Sequence, residues 1–192
     1  YLITFMTKSI TKKITRNLVR NLSSYRLSCT TQTKQLACLL MLLFSSISWG
    51  QVTLTATSGT ATGSFTTLKG AFDAINAGTH QGNVIISINA NTTETAPAVL
   101  NSSGAGLANY TALLIQPTVD GITVSGATAT GRGLIELNGA DNVTIDGDNP
   151  NTLGTNRNLT ITNTATNTIT HTSCVRIAVA ATVVTSANNN AI

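Results

Sequence analysis

The stretch "LIELNGADNVTIDGD", Leu134 to Asp148, crowds Glu136, Asp141, Asp146 and Asp148 into one short segment. Acids so close can do two kinds of work on sugars. Facing carboxylates act as general acid and base in glycoside hydrolysis, and stacked carboxylates hold Ca²⁺ for lyase chemistry. Both need the acids on one face. In a strand, successive side chains alternate. Glu136 then faces away from Ile135 and Leu137, toward solvent, and Asp146 faces away from Ile145. Such chemistry also wants a cation beside the acids, and Lys69, Arg132, Arg157 and Arg176 are the only ones after Gln51. The expectation is that the acids mark turns. No catalytic residue, bound metal or cofactor is assigned, and Asp141, Asp146 and Asp148 stand as the weak metal candidates.

Other chemistries fare worse. "DGDNPNT" resembles the start of an EF-hand loop, but Arg157 occupies the twelfth position from Asp146, where a bidentate Glu is required. The paired glycines of a Ca²⁺-binding nonapeptide repeat are missing. His80 and His171 are far apart, with no second ligand at metal spacing, and His171 reads as a solvated loop residue. Neither a G-x-S-x-G elbow nor a phosphate loop occurs.

The elements that must position these residues are short. "TTLKGAFDAINAG", Thr66 to Gly78, puts Leu68, Ala71, Phe72, Ile75 and Ala77 near a 3.6-residue period. Thr66 or Thr67 can cap its start and Gly78 its end. After it, β-branched runs alternate with Asn/Gly turns, the pattern of short strands. Their apolar faces give an expected core of Val84, Ile86, Ile88, Ile122, Val124, Ile135, Leu137, Val143, Ile145, Leu159, Ile161, Val175 and Ile177. Leu68, Phe72 and Ile75 form the buried stripe of the helix.

An internal repeat organises the strands. "LLIQPTVDGITVSG" (Leu113 to Gly126) aligns with "LIELNGADNVTIDG" (Leu134 to Gly147) at an offset of 21. Asp120 then meets Asp141 at a corner, Asp146 lies over Ser125, and Glu136 over Ile115, so no acid stacks on an acid within a strand. The reading is a coil in which each strand stacks on its counterpart one turn on, with the helix covering the first open edge. Thr123, Thr144 and Thr160 would then line a polar outer face.

The apolar strand, the Gly/Asn/Asp corner and "NVTIDG", preceded by the amphipathic helix, resemble the start of pectin-lyase-like proteins. More narrowly, the span from Thr66 to Ile192 is similar to the N-terminal part of large secreted or cell-surface proteins of gliding-type bacteria. The resemblance implies an all-β, right-handed parallel β-helix, a solenoid with a short N-terminal capping helix. It also implies export by type IX secretion.

Charge and hydropathy divide the chain. Seven of its 11 Lys and Arg precede residue 50, and all seven acids follow it, so Gln51 to Ile192 carries a net charge of −3. That excludes nucleic acid as the natural partner. The basic leader and the apolar "LACLLMLLFSSIS" (Leu36 to Ser48) read as a signal peptide, with cleavage after Gly50 and no stable membrane insertion afterwards. Cys29 and Cys38 leave with it, so Cys174 has no disulfide partner in the mature chain. The expected organisation is an N-terminal extension and signal peptide at 1–50, a linker or first strand at 51–65, and the capping helix and first coils at 66–192. Tyr1 and the abrupt end at Ile192 suggest a piece of a longer protein. The expected function is an exported structural or adhesion module, the β-helix stalk of a larger protein that is secreted or on the outer cell surface, with a polysaccharide or cell-surface glycan and the downstream domains of the same chain as partners. The alternative is the front of a polysaccharide lyase or glycoside hydrolase whose site lies in later coils.

Overall fold

The computed structural model describes residues 50–179 and 187–192. Apart from Gly50, the expected signal segment lies outside the described residues. The order of elements is β1 (Val52–Gly59), β2 (Thr62–Phe65), α1 (Leu68–Asn76), β3 (His80–Ile88), β4 (Thr92–Glu94), β5 (Ala98–Asn101), β6 (Tyr110–Pro117), β7 (Ile122–Gly126), β8 (Gly133–Asn138), β9 (Val143–Ile145), β10 (Leu159–Asn163) and β11 (Ser173–Ala178).

Helix α1 forms where the apolar stripe and the caps agree. Thr67 Oγ1 accepts from the Gly70 amide at 3.1 Å, and Leu68, Ala71, Phe72 and Ile75 are buried. Gly78 ends the helix with φ +73 and donates its amide to the Ile75 carbonyl. The helix is therefore shorter than expected at both ends, and Ala77 is an exposed cap residue, not part of the buried stripe.

The strands form three separate sheets. A five-stranded sheet runs β2-β1-β3-β6-β9. It is mixed, because β1 pairs antiparallel with both β2 and β3, while β3, β6 and β9 are parallel. The other two sheets, β10-β7-β4 and β11-β8-β5, are three-stranded and parallel. From β3 onward the chain visits the three sheets in rotation.

This corrects the expected right-handed parallel β-helix built on a 21-residue coil. The architecture is a mostly β fold of three separate mixed or parallel sheets with one helix. Leu113 pairs with Val143, not Leu134, and Val124 pairs with Ile161, not Ile145. The register step is 29 at Val84↔Leu113 and 40 at Ile135↔Val175. The reason for the false repeat is local. "LLIQPTVDGITVSG" is the corner from β6 to β7, and "LIELNGADNVTIDG" is the corner from β8 to β9. Both are apolar strand, tight turn, apolar strand, so both need the same residue types, yet they join different pairs of sheets. The open edge of β3 is closed by β1 and not by the helix.

Instead α1 lies against β5. Asn76 Nδ2 donates to the Val99 carbonyl at 2.8 Å, and Asn76 Oδ1 accepts from the Asn101 amide at 3.0 Å. Its N-terminus is held by β4. Glu94, a buried acid, accepts from the Leu68 amide through Oε1 and the Lys69 amide through Oε2, each at 2.9 Å. These amides have no partner inside the helix, and the carboxylate also meets the positive end of the helix dipole.

Inward aliphatics fill the space between the sheets. Val84, Ile86, Ile88, Ile122, Val124, Ile135, Leu137, Val143 and Ile145 are buried with Leu68, Phe72 and Ile75. Leu159, Ile161 and Val175 are only partly buried, and Ile177 is 46% exposed. The difference follows from cover, since β5 has α1 against its outer edge and β9 bridges to Ala191, whereas no further strand pairs with β10 or β11 among the described residues.

Replacing Glu94 with Ala should leave two amides at the start of α1 without an acceptor and destabilise the fold by about 2–3 kcal/mol. Glu94→Gln, which keeps one carbonyl acceptor, should lose less. Urea unfolding followed by circular dichroism would measure both, and a Glu94→Ala midpoint equal to that of the wild type would contradict the assignment.

Candidate functional site

The structure disperses the acids that the sequence places side by side. Asp141 Oδ1 accepts from the Asn188 amide. Asp146 Oδ1 accepts from the Asp148 amide at 2.9 Å, closing a turn on itself. Asp148 Oδ1 accepts from the Asn156 amide at 2.8 Å, across the loop between β9 and β10. Asp120 Oδ1 accepts from Asn149 Nδ2 at 2.8 Å, so it does not stack on Asp141. Among the described residues no group of three His, Cys, Asp or Glu side chains could share a metal ion.

Glu136 departs most from expectation. It is 5% exposed, although it does point outward from β8. The two arginines that meet its carboxylate screen it, and Leu134 in the same strand is fully buried. Arg132 grips the carboxylate with two bonds, Nε to Oε1 and Nη2 to Oε2, each 2.7 Å. The Gly133 amide donates to Oε1 at 2.8 Å. Arg176, the residue opposite Glu136 on β11, brings Nη1 to 3.6 Å from Oε1. Gly133 must be glycine here, because a Cβ would lie 2.7 Å from the Arg176 Cβ and 2.9 Å from the Ile135 carbonyl oxygen.

Burial pushes the Glu136 carboxyl up, but the Arg132 fork, the Gly133 amide and the charges of Arg132 and Arg176 outweigh it. The net direction is down. Its hydrogen bond to Glu136 raises Arg132 further above its ordinary range, against a smaller desolvation effect. The signal for this cluster lies in "GLIEL", where Leu134, Ile135 and Leu137 leave Glu136 as the one polar side chain, so the strand departs from the plain alternation of a half-exposed one. Alternation alone places Glu136 outward and cannot tell whether anything covers it.

The histidines also separate. His80 is buried, with Nδ1 2.6 Å from the Thr60 carbonyl and its ring edge-to-face with Phe65. His171 is exposed and sits at φ +56. Cys174 is free and exposed. The expected threonine row is split as well. Thr123 pairs with Thr160 across β7 and β10, but Thr144 pairs with Leu114 in a different sheet. Beside Thr123 and Thr160, a second row of Thr93, Ser125 and Thr162 crosses the same three-stranded sheet. Tyr110, another buried group, donates its hydroxyl to the Asn101 carbonyl at 2.6 Å, and burial raises its pKa above the ordinary tyrosine range.

Because the folded pKa of Glu136 is depressed, its contribution to stability is complete above the ordinary Glu value and is lost as pH falls through the lower folded value. Glu136→Gln should therefore be less stable than the wild type near neutrality, and the gap should narrow below about pH 4. Urea midpoints of both proteins across pH 2.5–7 would check this, and a gap that does not change with pH would contradict it.

Comparison of the chain with protein-family models, curated proteins and solved structures finds no match in any of the three.

Proposed function

We propose that this chain is an exported structural and adhesion module, a rigid β-rich stem within a larger secreted or surface protein, with a polysaccharide or cell-surface glycan as its partner. One observation carries the reading. All seven acids of the chain bond to groups of the protein itself. Glu94 holds the helix, Glu136 holds Arg132, Asp73 pairs with Lys69 at 2.5 Å, and the four remaining aspartates tie loops together. An acid committed in this way is poorly placed to attack, protonate or bind a metal, because its lone pairs already meet donors in fixed geometry. The basic leader with its apolar core supports export, and the net charge of −3 after Gly50 disfavours nucleic acid.

The rival reading is the front of a polysaccharide lyase or glycoside hydrolase. The full-length protein should be retained on cells or on immobilised polysaccharide while the length of the polysaccharide stays unchanged by size-exclusion chromatography. Chain shortening without retention would overturn the proposal and favour the enzyme.

A further inference from the structure

We propose that Arg132 and Arg176 form an oxyanion site for the sulfate ester of a glycan, with Glu136 as the positioning residue. The inference rests on the adhesion reading above and names the partner chemistry of that module.

Charge gives the first argument. Only four cations follow Gly50, and two of them converge here. Lys69 is paired with Asp73, and Arg157 lies in the loop between β9 and β10. Arg132, Glu136 and Arg176 together carry one net positive charge, within a segment whose total is −3. A polyanion would be repelled by the molecule as a whole and can be attracted only locally.

Geometry gives the second. Glu136 is buried, and its two bonds to Arg132 fix the plane of that guanidinium. They engage the Nε/Nη2 edge and leave the Nη1 side without a protein partner among the described residues. Arg176 touches the carboxylate only at 3.6 Å, so most of its donors are also open. The side chains of Arg132 and Arg176 are 43% and 46% exposed, while that of Glu136 is 7% exposed. A buried carboxylate thus fixes the Arg132 guanidinium, with Arg176 beside it on the neighbouring strand, and the outer ends of both arginines stay accessible to solvent.

Ligand chemistry gives the third. A carboxylate offers only two oxygens, both in one plane. A sulfate ester has three free oxygens and can take donors from both arginines at once. A neutral sugar offers neither the charge nor the third oxygen.

Binding of the full chain to immobilised dextran sulfate, alginate and uncharged dextran tests the site. The wild type should bind dextran sulfate, and rising salt should weaken the binding. Arg176→Gln should weaken it roughly tenfold, and Arg176→Lys by less, since charge survives while the fork is lost. Arg157→Gln should leave it unchanged. An unchanged urea midpoint for Arg176→Gln would exclude unfolding as the cause. No binding to dextran sulfate, equal binding by wild type and Arg176→Gln, or an equal loss in Arg157→Gln would overturn the proposal. Alginate bound as tightly as dextran sulfate would overturn the sulfate assignment. Cell adhesion that survives Arg176→Gln would remove this site and leave the adhesion reading standing. A wild type that adheres to nothing would remove the adhesion reading itself.

Discussion

Ile86, Ile115 and Ile145 stand in register on β3, β6 and β9, and the fold depends on that stacking. The same rule gives Val84 over Leu113 and Val143 in the same sheet, and Leu100 over Leu137 in the sheet of β5 and β8. Each fully buried aliphatic contributes roughly 1.5–3 kcal/mol, and none of these strands could bury its apolar face alone. A parallel pair satisfies one edge of each strand and leaves the other open. The fold is thus constrained at β3, β4 and β5, each of which pairs with a later strand on one edge and leaves the other edge to be met by something else.

Two of these edges are met by different devices, and a residue of β4 supports one of them. β3 is paired by the antiparallel strand β1, which β2 covers in turn. β5 is served by Asn76, one side chain that gives a donor and an acceptor to two backbone groups. β4 contributes Glu94, which anchors the helix that carries Asn76. A single buried acid therefore fixes the element that closes a sheet in which it takes no part. The acids elsewhere work in the same way at smaller scale. Asp120, Asp141, Asp146 and Asp148 each take an amide or side-chain donor of a loop, so these loops are tied by hydrogen bonds.

Much of this was legible in the sequence. Leu68, Phe72 and Ile75 announce the helix through their period, and Val84, Ile86 and Ile88 announce a strand through theirs. The stacking register was not legible, because one corner of an apolar β chain looks like another. Gly, Asn and Asp mark a turn without saying which sheets it joins. Glu94 was overlooked since "TTE" has no apolar pattern, and its role exists only through a helix twenty-five residues away in the chain. Glu136 was placed on the correct side of its strand but given the wrong surroundings. Alternation reports direction, whereas burial depends on what the rest of the chain lays over that face. His80 was missed for the same reason, as its burial comes from Phe65 and the Thr60 carbonyl on a preceding hairpin.

The central claim is that the carboxylates belong to the hydrogen-bonding of the fold. Amide hydrogen exchange at Leu68, Lys69 and Gly133 tests it most directly, since each of these amides has a carboxylate oxygen as its acceptor. The account predicts that they exchange as slowly as the paired amides of β7 in the centre of its sheet. Exchange at the rate of an unprotected amide would contradict it.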